Sequence, residues 1–338
     1  MSLFGMFSKD IAIDLGTANT LIYVKGQGIV LDEPSIVTYD VNTKKIVAIG
    51  DEAKKMMGRV HKELATIRPM KDGVIADFEI AEGMIKAFIK KISSNWMPAK
   101  RIVICVPSGI TEVEKRAVRD TAEHAGAKEV YLISEPMAAA IGIGIDVTAP
   151  YGNMIVDIGG GTTEIAVIAL SGMPTNYSIR IAGDELTDSI VRFFRNNHNI
   201  LIGERTAEEI KCQVGSVMPL DEEVIIEVKG RDLVAGVPKV TEVSSIEIRD
   251  ALNAPATQMI EAVKVALEKT APELSADLLE RGIFLTGGGA LIKGLDERIK
   301  METGVPVHVA DDPLTAVARG TGKVLEDLDF YKKVLIKR

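Results

Sequence analysis

IAIDLGTANT at residues 11–20 and MIVDIGGGTTE at residues 154–164 are two forms of one local pattern. In each, an apolar strand ends in an aspartate, a glycine-containing turn follows, and threonine leads into a second apolar strand. Glycine lets backbone N–H groups approach a phosphate closely, and threonine and asparagine add side-chain donors. Because the pattern occurs once in each half, it predicts two similar domains that face each other across a phosphate-binding cleft.

Length and composition indicate a globular protein with two domains. The chain has 338 residues, of which 46% are apolar and 26% charged. A net charge of −8 argues against a nucleic-acid binder and against electrostatic docking to anionic lipid. Cys105 and Cys212 have neither metal-binding nor disulfide spacing, so a reducing cytoplasm is expected. No apolar run approaches the roughly 20 residues of a membrane-spanning helix.

Strands and helices alternate along much of the chain, which predicts α/β layers. Apolar residues at helical spacing predict a helix over Ile80–Ile92. Capping boxes, in which Ser or Thr precedes Glu by three residues, predict further helix starts. They lie at Thr111 with Glu114, Thr206 with Glu209, and Ser244 with Glu247.

Further elements are expected in the second half. The runs Glu223–Val228 and Leu233–Val240 predict a hairpin that turns at Lys229–Asp232. Two helices are expected later, over Ala290–Met301 and Pro313–Leu328. No linker rich in Gly, Ser or Pro separates the two halves, so we expect them to pack closely.

A third glycine turn lies in FLTGGGA at residues 284–290, between a strand and the start of a helix. The turn permits close approach, and the N-terminus of a helix favours an anion or a polar edge. Taken alone, each of the three turns could be an ordinary connection between regular elements. Together they predict a nucleoside platform beside two phosphate-binding turns.

The combination resembles the actin, Hsp70 and sugar-kinase superfamily. Asp14–Thr20 resembles its first phosphate motif, Asp157–Glu164 its second, and Thr286–Ala290 its adenosine motif. EPMAAAIG at residues 135–142 and DPLTAVARG at residues 312–320 resemble the two helices that connect the domains. The amino-acid sequences of the first two motifs are most similar to those of the MreB family of bacterial actin homologues.

This resemblance implies an actin-like (ribonuclease H-like) α/β fold with duplicated domains and four subdomains around a nucleotide cleft. The first half is expected over residues 1–145, with a small insert at 33–71. The second half is expected over 146–320, with an insert at 183–243. A C-terminal helix over 321–338 is expected to return to the first half.

The resemblance also implies roles for the matched residues, with ATP and Mg²⁺ as cofactors. The β and γ phosphates would be held from one side by Thr17, Ala18 and Asn19, and from the other by Gly160, Gly161 and Thr162. Asp14 and Asp157 would orient Mg²⁺ through waters. Glu135 would polarise the attacking water, which Thr162 would help to orient. Contacts to the nucleoside would come from Glu208, Lys211, Gly288, Gly289, Ala290 and Leu291.

Two of these assignments have plain structural alternatives. A glutamate at the start of a helix, such as Glu135, is often only a favourable partner of the helix dipole. Glu208 and Lys211 lie three residues apart on one helix face, so they could form an exposed salt bridge.

Two apolar segments are candidates for contact with a membrane surface. The N-terminal segment MSLFGMFS contains Leu3, Phe4 and Phe7, and the loop SSNWMP at residues 93–98 contains Trp96 and Met97. A loose tail and a tryptophan that caps the core are the alternatives. MreB-like proteins use similar segments to lie on the inner membrane, so the resemblance favours membrane contact.

The resemblance implies a cytoplasmic ATPase, peripheral on the inner face of the cell membrane, in which ATP controls polymerisation. It would form filaments with itself as paired antiparallel protofilaments and connect to cell-wall elongation proteins, with no nucleic-acid partner. An Hsp70-like chaperone ATPase and a small-molecule kinase are the alternatives within the same fold. A β-rich peptide domain and an obvious sugar site would be expected for these, and neither is found in the sequence.

Overall fold

The computed structural model describes residues 10–92 and 101–337. The first half begins with strands and continues with alternating strands and helices. Its strands are β1 (Ile11–Leu15), β2 (Asn19–Val24), β3 (Gly28–Pro34), β4 (Val37–Asp40), β5 (Ile46–Ile49), β6 (Leu64–Ile67), β7 (Met70–Lys71), β8 (Val74–Ile75), β9 (Arg101–Val106) and β10 (Glu129–Ser134). Its helices are α1 (Gly50–Met56), α2 (Phe78–Ile92), α3 (Glu112–His124) and α4 (Glu135–Gly142).

The second half repeats this plan with longer helices. Its strands are β11 (Asn153–Ile158), β12 (Thr163–Ala169), β13 (Gly172–Ile179), β14 (Ile200–Leu201), β15 (Ile225–Asp232), β16 (Pro238–Ser244), β17 (Ile283–Thr286) and β18 (Val307–Val309). Its helices are α5 (Gly183–Asn197), α6 (Glu204–Val214), α7 (Ser245–Glu268), α8 (Pro272–Arg281), α9 (Leu295–Thr303) and α10 (Ala316–Glu326).

Two five-stranded sheets share one topology. Their strand orders are β10-β9-β1-β2-β3 and β13-β12-β11-β17-β18. In each sheet the central strand pairs antiparallel with the next strand in sequence and parallel with a distant one, which is β9 for β1 and β17 for β11. The duplicated α/β fold expected from the repeated pattern is confirmed.

The central strands are mostly apolar because helices cover both faces of each sheet. Every residue of β11 and β12 is buried, and β1 is buried except at Asp14, which is half-buried. Each half has its own apolar core, and a third core lies between the sheets. This third core contains most of α4 and one face of α10, so the two helices join the halves.

Small three-stranded sheets accompany the two large ones. The order β5-β4-β6, with α1 packed on it, falls within the predicted insert at 33–71. The order β14-β15-β16 falls within the predicted insert at 183–243. The domain boundaries themselves stay predictions.

Two of the predicted capping boxes are confirmed, at Thr111 and Ser244. The box at Thr206 is wrong because α6 already begins at Glu204, after Gly203, whose backbone is extended. Thr206 therefore lies inside the helix. Glu209 accepts a hydrogen bond from Arg205 Nε at 2.9 Å instead of capping the helix start.

Three other boundaries differ from the prediction. The hairpin turns after Asp232, not at Lys229–Asp232, because the Asp232 carboxylate accepts hydrogen bonds from the N–H groups of Val234 and Ala235 at 2.8 and 2.9 Å. The helix expected over 290–301 is divided by left-handed Gly294 (φ 76°) into a 3-10 turn at 288–291 and α9. The last helix is expected over 313–328, and a C-terminal helical segment over 321–338. The structure has α10 at Ala316–Glu326, with short 3-10 turns before it at Pro313–Thr315 and after it at Phe330–Lys333.

Helices α4 and α10 cross in direct backbone contact. A Cβ atom added to Gly142 would lie 1.8 Å from the Ala316 carbonyl oxygen, and one added to Gly320 would lie 1.7 Å from the Ala138 oxygen. The Lys323 ammonium donates to the carbonyls of Ile141 and Gly142 at 2.9 and 3.2 Å, which satisfies the C-terminal end of α4. Only glycine at these two positions permits this crossing.

We therefore predict that Gly320→Ala destabilises the protein, because the helix backbones must separate to admit one methyl group. Overpacking of this kind costs about 2 kcal/mol, which lowers the thermal unfolding midpoint of a chain of 338 residues by about 3 °C. Gly172→Ala is the matched control, since its added Cβ would lie 3.6 Å from the nearest atom, the Ala169 oxygen. Equal midpoints for the two variants would contradict the account of the crossing.

Candidate functional site

A cavity of about 750 Å³ lies between the two large sheets and their inserts. The turns of the two repeats, the start of α4, one face of α6 and the glycine turn after β17 line it. All the residues matched to the phosphate, metal and catalytic roles line this cavity. The structure therefore brings together side chains of the two repeats that are far apart in the sequence, such as Asp14 and Asp157, which are 143 residues apart.

The two phosphate turns lie against each other. A Cβ atom at Gly160 would lie 2.8 Å from the Ala18 Cβ, and one at Gly161 would lie 2.8 Å from Thr17 Oγ1. Thr17 and Thr162 are buried beneath this contact, and Thr17 Oγ1 accepts a hydrogen bond from the Gly73 N–H at 3.1 Å. Backbone N–H groups and hydroxyls from both repeats thus meet at one place, as the clamping of one polyphosphate requires.

The nucleoside residues fall into two groups. Gly288, Gly289 and Leu291 line the cavity, and Leu291 is exposed. Ala290 does not line it, because the 3-10 turn directs its side chain into the core of the second half. That Ala290 flanks the adenosine together with these residues stays a prediction.

Glu208 and Lys211 form an ion pair at the wall of the cavity. The Lys211 ammonium lies 2.6 Å from Glu208 Oε2 and also donates to the Gly183 carbonyl and Thr187 Oγ1, each at 3.0 Å. Burial opposes ionisation of Glu208, but Lys211 and the Thr187 hydroxyl outweigh it and lower the Glu208 pKa. Lys211 is buried, so the pair is a fixed wall of the cavity and not a fully exposed salt bridge.

Carboxyl groups from both halves gather at the base of the cavity. Burial raises the pKa of Asp14 to about 6, although a hydrogen bond from Cys105 acts to lower it. Burial likewise raises the pKa of Asp157 to about 7, although a hydrogen bond from Thr286 acts to lower it. Burial, followed by the charges of Glu164, Asp157 and Asp14, raises the pKa of Glu135 well above its usual range. Such a group of acids favours a cation between the two halves.

The donor set fits Mg²⁺ held partly by water and phosphate oxygens. Within residues 10–92 and 101–337, no group of three or more His, Cys, Asp or Glu residues is arranged as a metal site. Mg²⁺ usually keeps several waters and takes one or two carboxylates plus substrate phosphates. Asp14 and Asp157, on opposite walls of one cavity, supply that number of carboxylates.

Glu164 connects the two halves, a role that was not predicted from the sequence. It is fully buried, its Oε2 accepts from the backbone N–H and the hydroxyl of Ser108, and its Oε1 accepts from the Ser178 hydroxyl. It therefore ties β12 to the loop after β9 in the other half. In the sequence, Glu164 is distinguished only by its position as the last residue of the second repeat.

Arg68 forms a second bridge that had no signal in the sequence. It follows β6 and contacts Asp184 at 3.2 Å and Glu204 at 2.8 Å, at the starts of α5 and α6. These ion pairs join the small insert of the first half to the second half, beside the cavity. A single arginine between a strand and a proline cannot be distinguished by its sequence from any surface arginine.

The proposed membrane residues lie outside the described residues. Leu3, Phe4 and Phe7 precede residue 10, and Trp96 and Met97 fall between residues 92 and 101. Their contact with a membrane stays a prediction.

Comparison with known proteins agrees with this fold. The family model described as MreB/Mbl protein matches residues 8–333. The cell shape-determining protein MreB of Escherichia coli (strain K12) is 55% identical over 333 residues, which are 97% of this chain and 96% of that protein. The cell shape-determining protein Mbl of Bacillus subtilis (strain 168) is 49% identical over 329 residues, which are 97% of this chain and 99% of that protein.

Solved structures give the same result. MreB5 of Spiroplasma citri, solved with AMPPNP, has a TM-score of 0.91 and 37% identity over 97% of this chain and 98% of that one. The MamK double helical filament has a TM-score of 0.80 and 22% identity over 95% and 99% of the two chains, and so shares the fold. This chain belongs to the MreB/Mbl family of actin-like, cell shape-determining proteins.

Proposed function

We propose that the chain binds and hydrolyses ATP in the cavity between its halves, and that ATP controls its assembly into filaments. These filaments would lie on the inner face of the cytoplasmic membrane and direct cell-wall elongation together with partner proteins. The observation that carries the ATPase part is the pair of facing repeats, whose glycine turns and aspartates line one cavity together with half-buried Glu135. MreB5 of Spiroplasma citri has been solved with both AMPPNP and ADP, which supports a nucleotide in the equivalent cavity.

The two repeats would hold the phosphates from opposite sides. Thr17, Ala18 and Asn19 belong to the turn after β1, and Gly160, Gly161 and Thr162 to the turn after β11. Positioning and charge stabilisation dominate phosphoryl transfer, so a closed cradle of N–H and hydroxyl donors is the main contribution of the protein. When bound, Mg²⁺ would neutralise charge on the phosphate oxygens, and Asp14 and Asp157 are the residues that would hold it.

Glu135 is the residue we assign to activation of the attacking water. It is the first residue of α4, lies at the base of the cavity, and is surrounded by other carboxyl groups. As a carboxylate it would accept a hydrogen bond from the water, while Thr162 would orient that water toward the γ phosphate. A role for Glu135 only as a helix-dipole partner would not account for its position in the cavity wall, close to Asp14 and Asp157.

The nucleoside would lie against α6 and the glycine turn after β17. Lys211 is held by Glu208, Thr187 and the Gly183 carbonyl, so this wall is already rigid. Glu208, half-exposed beside the cavity, is the member of the pair that can accept hydrogen bonds from ribose hydroxyls. Gly288, Gly289 and Leu291 would flank the adenosine.

Assembly would depend on how the cavity fixes the two halves. The connections that join them are α4 with α10, the Glu164 bridge and the ion pairs of Arg68. A nucleotide that contacts both repeats would add to these and favour one closed shape. Subunits that add head to tail with that shape, without closing a ring, make an open filament. The family assignment supports self-assembly, which we propose occurs as paired antiparallel protofilaments.

Membrane association would rest on apolar side chains and not on charge. No helix within the described part of the chain is both long and apolar enough to cross a bilayer. The net charge of −8 does not favour anionic lipid. Leu3, Phe4, Phe7, Trp96 and Met97 are therefore the residues we assign to insertion at the lipid surface.

We predict that Glu135→Ala binds ATP with nearly normal affinity but hydrolyses it about 100-fold more slowly, because general-base assistance is lost. Phosphate release and nucleotide binding would be measured on the same preparation. Glu112→Ala, which removes an exposed glutamate at the start of α3, is the control and should retain normal turnover. Normal turnover in Glu135→Ala would remove Glu135 as the water-activating residue.

We also predict that deletion of residues 1–7 combined with Trp96→Ser abolishes co-sedimentation with liposomes, because both apolar segments are lost. ATP turnover should remain, since the described residues that line the cavity belong to neither segment. Leu279→Ser, which removes an exposed apolar side chain on α8, is the control and should still bind liposomes. Undiminished binding by the deletion variant would locate the membrane contact elsewhere.

A further inference from the structure

The two cleft aspartates are held by equivalent partners in the two sheets. Asp14 lies on β1 and is paired in register with Cys105 on the parallel strand β9. Asp157 lies on β11 and is paired in register with Thr286 on the parallel strand β17. Because residues paired in this way point to the same face of a sheet, each partner's side chain lies beside its aspartate.

Each partner donates a hydrogen bond to one oxygen, Oδ1, of its own aspartate. The Cys105 thiol lies 3.1 Å from Asp14 Oδ1, and the Thr286 hydroxyl lies 2.8 Å from Asp157 Oδ1. Cys105 is 2% exposed and Thr286 is fully buried, and both are absent from the cavity wall that the two aspartates help to form. The donors thus contact the carboxylates from the side that faces away from the cavity.

The second oxygen of each carboxylate is left for the cavity. Among the described residues, no protein group donates a hydrogen bond to Oδ2 of Asp14 or Asp157. A carboxylate with one oxygen fixed and the other free has a defined direction in which it can accept from a metal-bound water. Without its donor, the carboxylate would sample other rotamers and bind the same water less well.

We propose that Cys105 and Thr286 are matched positioning residues, each fixing one oxygen of a cleft aspartate so that the other faces the hydrated Mg²⁺ of a bound nucleotide. This inference rests on the proposed ATPase function and extends it to two residues that do not touch the nucleotide. A thiol serves in one half and a hydroxyl in the other, so the pairing is a property of the duplicated fold and not of one residue type.

The test is the Mg²⁺ concentration that gives half-maximal tightening of ADP binding, measured by calorimetry at fixed ADP. Cys105→Ala and Thr286→Val remove the donor while keeping a small apolar side chain. We expect each to raise this Mg²⁺ midpoint about tenfold, which is the lower end of the effects seen when partners of metal ligands are removed. ADP affinity at saturating Mg²⁺ should stay close to that of the unchanged protein.

Conservative variants separate positioning from packing. Cys105→Ser and Thr286→Ser keep a hydroxyl donor and should restore the Mg²⁺ midpoint to within about twofold of the original value, well below the tenfold shift that loss of the donor gives. Thr38→Val removes a buried hydroxyl that pairs with Thr66 at 2.9 Å on the small sheet, and it should leave the midpoint unchanged. Because the two aspartates lie on separate sheets, either arm tests the inference if a variant of the other fails to fold.

The experiment distinguishes failure of the positioning role from failure of the proposed ATPase function. An unchanged midpoint in Cys105→Ala and Thr286→Val, or an equal rise in the serine variants, would overturn the positioning role and leave the ATPase proposal intact. If Mg²⁺ does not alter ADP binding to the unchanged protein, the proposed metal-dependent function fails first, and the positioning role fails with it.

Discussion

The close crossing of α4 and α10 is the contact on which the rest of the molecule depends. Gly142 and Gly320 let the two helix backbones touch, and the core between the sheets forms around them. The crossing joins the halves, and the cavity lies next to it, because Glu135 of α4 and Val317 of α10 both line the cavity. Because Glu135 is the first residue of α4, the same helix that holds the halves together also sets the position of the Glu135 carboxyl group in the cavity.

Duplication explains most of the chemistry of the cavity. Each half supplies a glycine turn that we propose binds phosphate, an aspartate at the end of a central strand, and a buried donor beside that aspartate. Buried acids repel one another and are costly to ionise, which is expressed in the raised pKa values of Asp14, Asp157 and Glu135. A site that gathers such groups is stable in its ionised form only with positive charge nearby. The cavity therefore favours a ligand that brings a cation together with phosphate.

Local motifs in the sequence predicted the fold and most of the cavity, because each depends on a few neighbouring residues. The repeats, the helix starts at Thr111 and Ser244, and the duplicated α/β plan are of this kind. Predictions failed where a nearby residue competed: Gly203 starts α6 before Thr206, Gly294 divides the helix expected after β17, and Asp232 moves the hairpin turn. Glu164, Arg68 and Cys105 act through partners 14 to 136 residues away, and such contacts leave no local pattern to read.

The central claim is that nucleotide in this cavity controls assembly on a membrane. Sedimentation of the purified protein with Mg-ATP, with and without liposomes, followed by electron microscopy of the pellets, tests it most directly. The account predicts filaments that require Mg-ATP and that lie along the lipid surface when liposomes are present. ATP turnover without polymers or lipid association, over a wide range of salt and protein concentration, would contradict it and favour a kinase or chaperone-type ATPase of the same fold.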